Sequence, residues 1–256
     1  QAEEGASAAF LFRLEKGASL SLTWKLTGGD REGTCVLAAY YELAEDARLH
    51  VSRLESGLTK TIIYDQRHSV LAARARADFY AAELGGEKII VHSYGKLSGD
   101  ASEMNERAIY AGRGRQHLDF FYHIDHVGKK TKAEIDLKGA LADESKKIFR
   151  GTLDFKRGCA GSVGDEGDFA IQLDPKTKNI SLPLLLCTED DVQGNHASSA
   201  GQLDQNTIYF LMSRGFTLEE ARRIVVEALI RPIIDGMDEA LREEVLNAVR
   251  MKLDRE

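Results

Sequence analysis

Up to residue 203 the chain is written in short stretches of 6–11 residues that alternate apolar and polar positions or run apolar throughout. The clearest are residues 8–14, 18–26, 35–43, 47–55, 60–66, 75–84, 87–97, 117–127, 132–141 and 148–155, all rich in Val, Ile, Leu, Phe and Tyr. That period-2 pattern predicts strands. Gly, Asp and Ser punctuate them, in Thr27-Gly28-Gly29-Asp30, Gly85-Gly86 and the stretch 161–168. Leu182-Pro183-Leu184-Leu185-Leu186 reads as one more buried strand. A series of ten or so short strands must hide its edges in a sandwich, a barrel or a solenoid. Several stretches are variants of one theme, and Ala18, Ala47 and Ala75 recur at spacings of 29 and 28 residues. Recurrence of that order is what the coils of a β-solenoid give, and it favours the solenoid over the sandwich.

After residue 203 the pattern turns helical. Asp204 is placed to cap a short helix carrying Ile208, Leu211 and Met212, closed by Gly215. Thr217-Leu218-Glu219-Glu220 matches a capping box. The helix it opens has an apolar stripe at Ala221, Ile224, Val225, Ala228 and Leu229, and Pro232 is expected to kink or end it. A last helix carries Met237, Leu241, Val245, Ala248 and Val249 on one side. Two amphipathic helices cannot bury their stripes against each other alone, so they need the β body or a partner. The expected organisation is therefore a β core over residues 1–202 and a helical unit over residues 203–256.

Composition narrows the classes. The 256 residues are 43% hydrophobic and 29% charged, an ordinary globular balance. The formal net charge of -7 argues against nucleic acid as the main partner. No apolar run is long enough to span a bilayer. No basic-then-apolar leader is legible, so the expected compartment is the cytoplasm, and the missing initiating Met reads as a trimmed chain. Cys35, Cys159 and Cys187 are too scattered for a disulfide framework or a closed zinc site. With 23 glycines and only 3 prolines, the chain has many corners and few rigid ones.

Candidate chemistry is sparse. On a strand, His123 and His126 face opposite ways, and His123 with Asp125 supplies too few ligands for a metal. Gly112-Arg113-Gly114-Arg115 lies between strands and reads as a turn with exposed arginines rather than a phosphate loop. Cys187, the acidic triplet Glu189-Asp190-Asp191 and His196 fall within ten residues of one another. They read either as a solvated loop or as a thiolate, carboxylate and imidazole set suited to transient iron or zinc.

The string Leu185-Leu186-Cys187-Thr188-Glu189-Asp190-Asp191-Val192-Gln193-Gly194-Asn195-His196 continues through Gly201-Gln202-Leu203-Asp204 to Ile208-Tyr209-Phe210-Leu211-Met212-Ser213-Arg214-Gly215-Phe216. It closely resembles the C-terminal signature of the SufB/SufD family of iron–sulfur cluster assembly scaffolds, nearer the SufD branch. His126, Thr131, Lys138-Gly139, Ser145 and Phe149-Arg150-Gly151 also match, so the resemblance covers roughly residues 110–235. It implies a right-handed parallel β-helix followed by a small helical domain, with no enzyme chemistry in the chain. It further implies pairing through the β-helix with a SufB-like subunit or a second copy, and docking of a SufC-type ABC ATPase by the C-terminal helices. Thr217, Glu219, Glu220 and Arg223 are the expected docking residues. The cargo is a transient iron–sulfur cluster, with His196 as candidate ligand and Cys187 and Glu189 as weaker ones. SufD-type members usually carry Gly after this His and SufB-type members a carboxylate, whereas Ala197 stands here. The N-terminal helical domain of longer members is missing. Two other readings compete: a polysaccharide lyase or hydrolase on a β-solenoid using Asp190, Asp191 and His196, and a metal enzyme built on His123, His126 and His196.

Overall fold

A computed structural model describes residues 4–30 and 32–254. The expected core and tail thus begin and end on residues outside the described set. The chain climbs as a parallel β-solenoid of seven turns, two strands to a turn. Odd-numbered strands form one sheet: β1 (Glu4–Leu14), β3 (Gly33–Leu43), β5 (Thr61–Leu71), β7 (Lys88–Leu97), β9 (His117–His126), β11 (Lys146–Phe155) and β13 (Lys178–Cys187). Even-numbered strands form the other: β2 (Ser19–Gly28), β4 (Arg48–Gly57), β6 (Arg76–Glu83), β8 (Glu103–Gly112), β10 (Lys132–Leu141), β12 (Ser162–Gln172) and β14 (Val192–Gly201).

The repeat behind the recurring alanines is a corner. On six successive turns Gly17, Asp46, Arg74, Ala101, Lys130 and Gly161 adopt positive φ, and each donates its N–H to a carbonyl of the next turn. The residue that follows, Ala18, Ala47, Ala75, Ser102, Thr131 or Ser162, is small and packs inward under the turn above. A left-handed corner normally asks for glycine. Here four of the six are other residues, held by the inter-turn hydrogen bond, which is why no strict glycine motif marks the repeat.

The two sheets face each other across a core that is apolar at its middle, with Phe79, Phe120, Tyr122, Ile135 and Phe149 stacked inside. Part of the interior is charged. Arg53 and Arg67 both donate to Asp65, and Arg67 also donates to Glu83 at 2.6 Å, all fully enclosed. Burial would push the Asp65 carboxyl up, but the two guanidiniums outweigh it and hold it below the usual carboxylate range. Glu55, in contrast, is driven well up by burial and by the neighbouring carboxylates of Glu83 and Asp65.

Three helices follow: α1 (Gln205–Ser213), α2 (Leu218–Asp235) and α3 (Glu239–Leu253). Asp204 caps α1, and the capping box of Thr217 and Glu220 is formed. The buried face of α2 differs from the expected stripe. Val226, Ile230, Ile233 and Ile234 join Met237, Leu241, Val245 and Val249 of the last segment against Leu54, Ile109 and Ala140 on the outer face of the even sheet. Ile224 and Val225 are only half-buried, with Val225 turned toward α1, and Ala228 is exposed. Pro232 neither ends nor breaks α2; it sits on the solvent side of the helix, as does exposed Ala228, whose carbonyl loses its helical partner to the proline. Arg250 clasps Glu227 with two bonds of 2.7 and 3.0 Å, tying α3 to α2. No helix among the described residues is long and apolar enough to cross a membrane.

Candidate functional site

The signature string forms the last turn of the solenoid. Cys187 ends β13, residues 188–191 make the turn, and His196 lies mid-strand on β14. With no further turn above, β13 and β14 are open sheet edges. The apolar run of β13 is therefore not the buried strand expected from its composition. Leu185 turns inward and is half-buried, but Ile180, Leu182, Leu184 and Leu186 lie on the outer face, between 39% and 55% exposed.

Strand alternation places His196 on the core-facing side. It pairs with Glu166, in the row of β12 residues that point inward, yet it is exposed because nothing caps the turn. Beneath it Glu166 is 3% exposed, and its carboxyl has no side-chain partner among the described residues, only the backbone of Leu184 nearby. Burial, with nearby Asp168 adding to it, raises this carboxyl to about 8. Glu166 fits because Gly151 opposite has no side chain: a Cβ there would lie 1.8 Å from the carboxyl oxygen. Asp168 is itself paired with buried Lys147, which also donates to the Tyr110 hydroxyl at 3.1 Å. Glu166 was not legible as a site residue, since Gly164-Asp165-Glu166-Gly167-Asp168 reads as a turn until β12 is known to be a strand.

The other candidates are dispersed. Cys187 pairs with Phe155, whereas the β13 residue next to Gly151 is Pro183. Cys187 and His196 are thus offset by four residues along the strands, about 13 Å, and do not meet. Cys187 is exposed, while Cys35 and Cys159 are buried. Glu189 accepts the N–H of Gly158 at 2.8 Å, and that bond lowers its carboxyl below the usual range. Asp190 and Asp191 lie in the turn, off the strand that carries His196, so the carboxylates and imidazole of the polysaccharide reading are not assembled. The three-histidine metal set is not assembled either. His123 points outward. His126 is buried in the core, stacked on Phe155 and hydrogen-bonded through Nδ1 to the Thr131 hydroxyl at 2.7 Å. Burial lowers the His126 imidazole to about 4, which keeps it neutral.

At the helical end, Glu220 spends its carboxylate on the cap, accepting the Thr217 N–H at 2.8 Å. Glu219 bonds Arg222 at 3.3 Å, and Arg223 reaches Asp254 at 3.2 Å. The conspicuous exposed features here are apolar: Tyr209, which is 76% exposed, with Phe210, Met212, Phe216 and Leu218 around the α1–α2 junction.

Residues 1–229 match the family described as "SUF system FeS cluster assembly, SufBD core domain". Among characterised proteins, the chain is 26% identical over 204 residues to the iron-sulfur cluster assembly protein SufD of Bacillus subtilis, covering 79% of this chain and 46% of that protein. It is 25% identical over 216 residues to a SufBD family protein of Mycobacterium leprae, covering 81% and 55%. It is 20% identical over 210 residues to SufD of Escherichia coli, covering 81% and 50%. The chain spans about half the length of these relatives. With a seven-turn solenoid, a signature string on its open end and a match over nearly all its length, the chain belongs to the SufBD core-domain family of the SUF system for iron–sulfur cluster assembly.

Proposed function

We propose that the chain is a non-enzymatic scaffold on which a nascent iron–sulfur cluster is assembled as cargo, at the open last turn of the solenoid. The observation that carries this reading is the placement of His196, core-facing yet exposed on an edge strand, directly above a buried Glu166 with no side-chain partner among the described residues. A β14 edge with free backbone groups, flanked by the exposed leucines of β13, is suited to pairing with a SufB-like subunit or a second copy of this chain. Pairing would close the open end over His196. Imidazole is a weaker anchor for a cluster than thiolate, which suits a site that must release its product. With Cys187 as the accessible thiol among the described residues and His196 out of contact with it, most cluster ligands come from the partner. Cys187 and Glu189 remain secondary candidates.

The helical unit docks a SufC-type ABC ATPase. Its charged candidates, Glu219 and Arg223, are solvent-facing ion-pair members, and Thr217 and Glu220 hold the helix start. The exposed apolar group of Tyr209, Phe210 and Met212 supplies the anchor that such charges lack. The test is anaerobic reconstitution with the ATPase and a SufB-type subunit. Iron and sulfide are expected in the complex alone, and His196→Ala is expected to reduce them without dissociating it. A stoichiometric iron–sulfur cluster, iron together with sulfide, held by the isolated chain, or undiminished cluster in the intact His196→Ala complex, would refute the scaffold reading. In parallel, Tyr209→Ala with Phe210→Ala, and separately charge reversal at Glu219 and Arg223, are expected to weaken ATPase capture.

A further inference from the structure

On the outer face of the odd sheet, away from the helices, β9 and β11 bring an imidazole and two carboxylates together. His123 and Asp125 are two residues apart on one strand and so share its outer face. Asp154 is the register partner of Asp125 on the next turn. One ligand atom from each of the three lies within 4.8 Å of the others. Asp125 and Asp154 are each only 7% exposed, an unusual place for two facing carboxylates. His123 keeps an open side toward solvent, with its side chain 20% exposed. The set is held from behind: the Tyr94 hydroxyl donates to Asp125, and the Tyr94 ring stacks on His123 with centroids 5.4 Å apart.

We propose that His123, Asp125 and Asp154 form a binding site for a divalent first-row transition ion of the zinc or cobalt class. The separation of His123 Nε2 from Asp125 Oδ1 is 2.9 Å. Two ligands at about 2.1 Å from one tetrahedral ion stand about 3.4 Å apart, so the pair must open by only about half an ångström to admit the ion. One imidazole with two carboxylates is a borderline donor set that favours such ions over magnesium, which prefers oxygen alone. In the absence of an ion, the Lys156 ammonium bridges the carboxylates, 3.3 Å from Asp125 and in direct contact with Asp154. Its side chain is 43% exposed, so it can swing out to water as the ion enters. The exchange replaces one positive charge by two against two carboxylates and a neutral imidazole. Tyr94 then acts as a positioning residue that fixes Asp125. The site is independent of His196 and of the open end, since it lies two turns below β13 on the outer surface at β9 and one below it at β11.

The experiment is titration of the full chain with Co2+, followed by visible absorption, with Zn2+ as competitor. One Co2+ per chain is expected, with ligand-field bands and no thiolate charge-transfer band in the near ultraviolet. His123→Gln and the isosteric Asp154→Asn should each weaken binding at least about tenfold, and Tyr94→Phe about tenfold. Lys156→Gln should tighten it, because the competing ammonium is gone, while Cys187→Ser should leave it unchanged. Unaltered far-ultraviolet circular dichroism establishes that each variant is folded, and either ligand variant alone is decisive. Absence of binding, affinity indifferent to both ligand variants, or a thiolate band lost in Cys187→Ser would each overturn the proposal.

Discussion

Replacing Glu166 by Gln is expected to stabilise the protein in a way that depends on pH, and the dependence follows from the site. An unfolded chain releases the Glu166 proton near 4.5, whereas the folded protein holds it to about 8 because the carboxyl is buried beside Asp168 with no side-chain partner among the described residues. Between those pH values the native state binds a proton that the unfolded state has lost. Each pH unit upward then costs the native state about 1.4 kcal/mol. The penalty is absent below pH 4.5, reaches about 3 kcal/mol at pH 7 and levels off at about 4–5 kcal/mol above pH 8. Gln has the same shape and does not titrate, so the penalty disappears with it. Urea unfolding of both proteins at pH 5, 7 and 9, followed by far-ultraviolet circular dichroism, gives the stability difference directly. Glu166→Gln should gain little at pH 5 and most at pH 9. A difference that is flat with pH, or that favours the wild type at pH 9, would show that the carboxylate has a stabilising partner at the open end.

Two further outcomes rest on the interior. His126 shows the opposite linkage: its folded value of about 4 lies below the ordinary 6.5, so the unfolded chain takes up a proton that the native state refuses as pH falls through this window. That stability is fully present above pH 6.5, and about 3 kcal/mol of it is gone by pH 4. His126→Phe, which keeps the stack on Phe155, should resist acid unfolding over that window, and equal acid midpoints for the two proteins would contradict the assignment. Asp65→Ala leaves Arg53 facing only Glu55 and removes the carboxylate that Arg53 and Arg67 share. It should destabilise by about 3–5 kcal/mol in denaturant titrations, and a loss below about 1 kcal/mol would mean that water or a rotamer change satisfies the guanidiniums.

Much of the solenoid is legible in its sequence because most inward positions are apolar. The ten stretches that alternate cleanly all became strands, and the spacing of Ala18, Ala47 and Ala75 marked the real corner. The strands not recognised, β8, β12 and β14, share a cause. Their inward rows include Glu106, then Gly164, Glu166 and Asp168, then Gly194, His196 and Ser198. Polar or small residues at core-facing positions reverse the pattern by which strands are read. The outward cluster escaped for a different reason. Asp154 lies 29 residues beyond Asp125, the same interval that separates Ala18 from Ala47. One turn of the solenoid makes neighbours of residues that a local reading of His123-Ile124-Asp125-His126 cannot connect.

The polar inward row of the last turns is also a consequence of where the solenoid stops. Each inward side chain is buried by the turns on either side of it, and the final turn has a neighbour on one side only. Large apolar residues facing inward on β14 would lie bare, and the strand carries Gly194, His196, Ser198 and Ala200 instead. One turn below, burial resumes and Glu166 is enclosed, at the cost of a carboxyl kept protonated. The apolar residues of the last turn lie on the outside of β13, as Ile180, Leu182, Leu184 and Leu186. A subunit that adds strands to this edge would cover those side chains and pair the free backbone of β14, and it would bury His196 above Glu166 in the same step. The feature that makes this segment read as a loop is therefore the one that leaves an imidazole available at the edge.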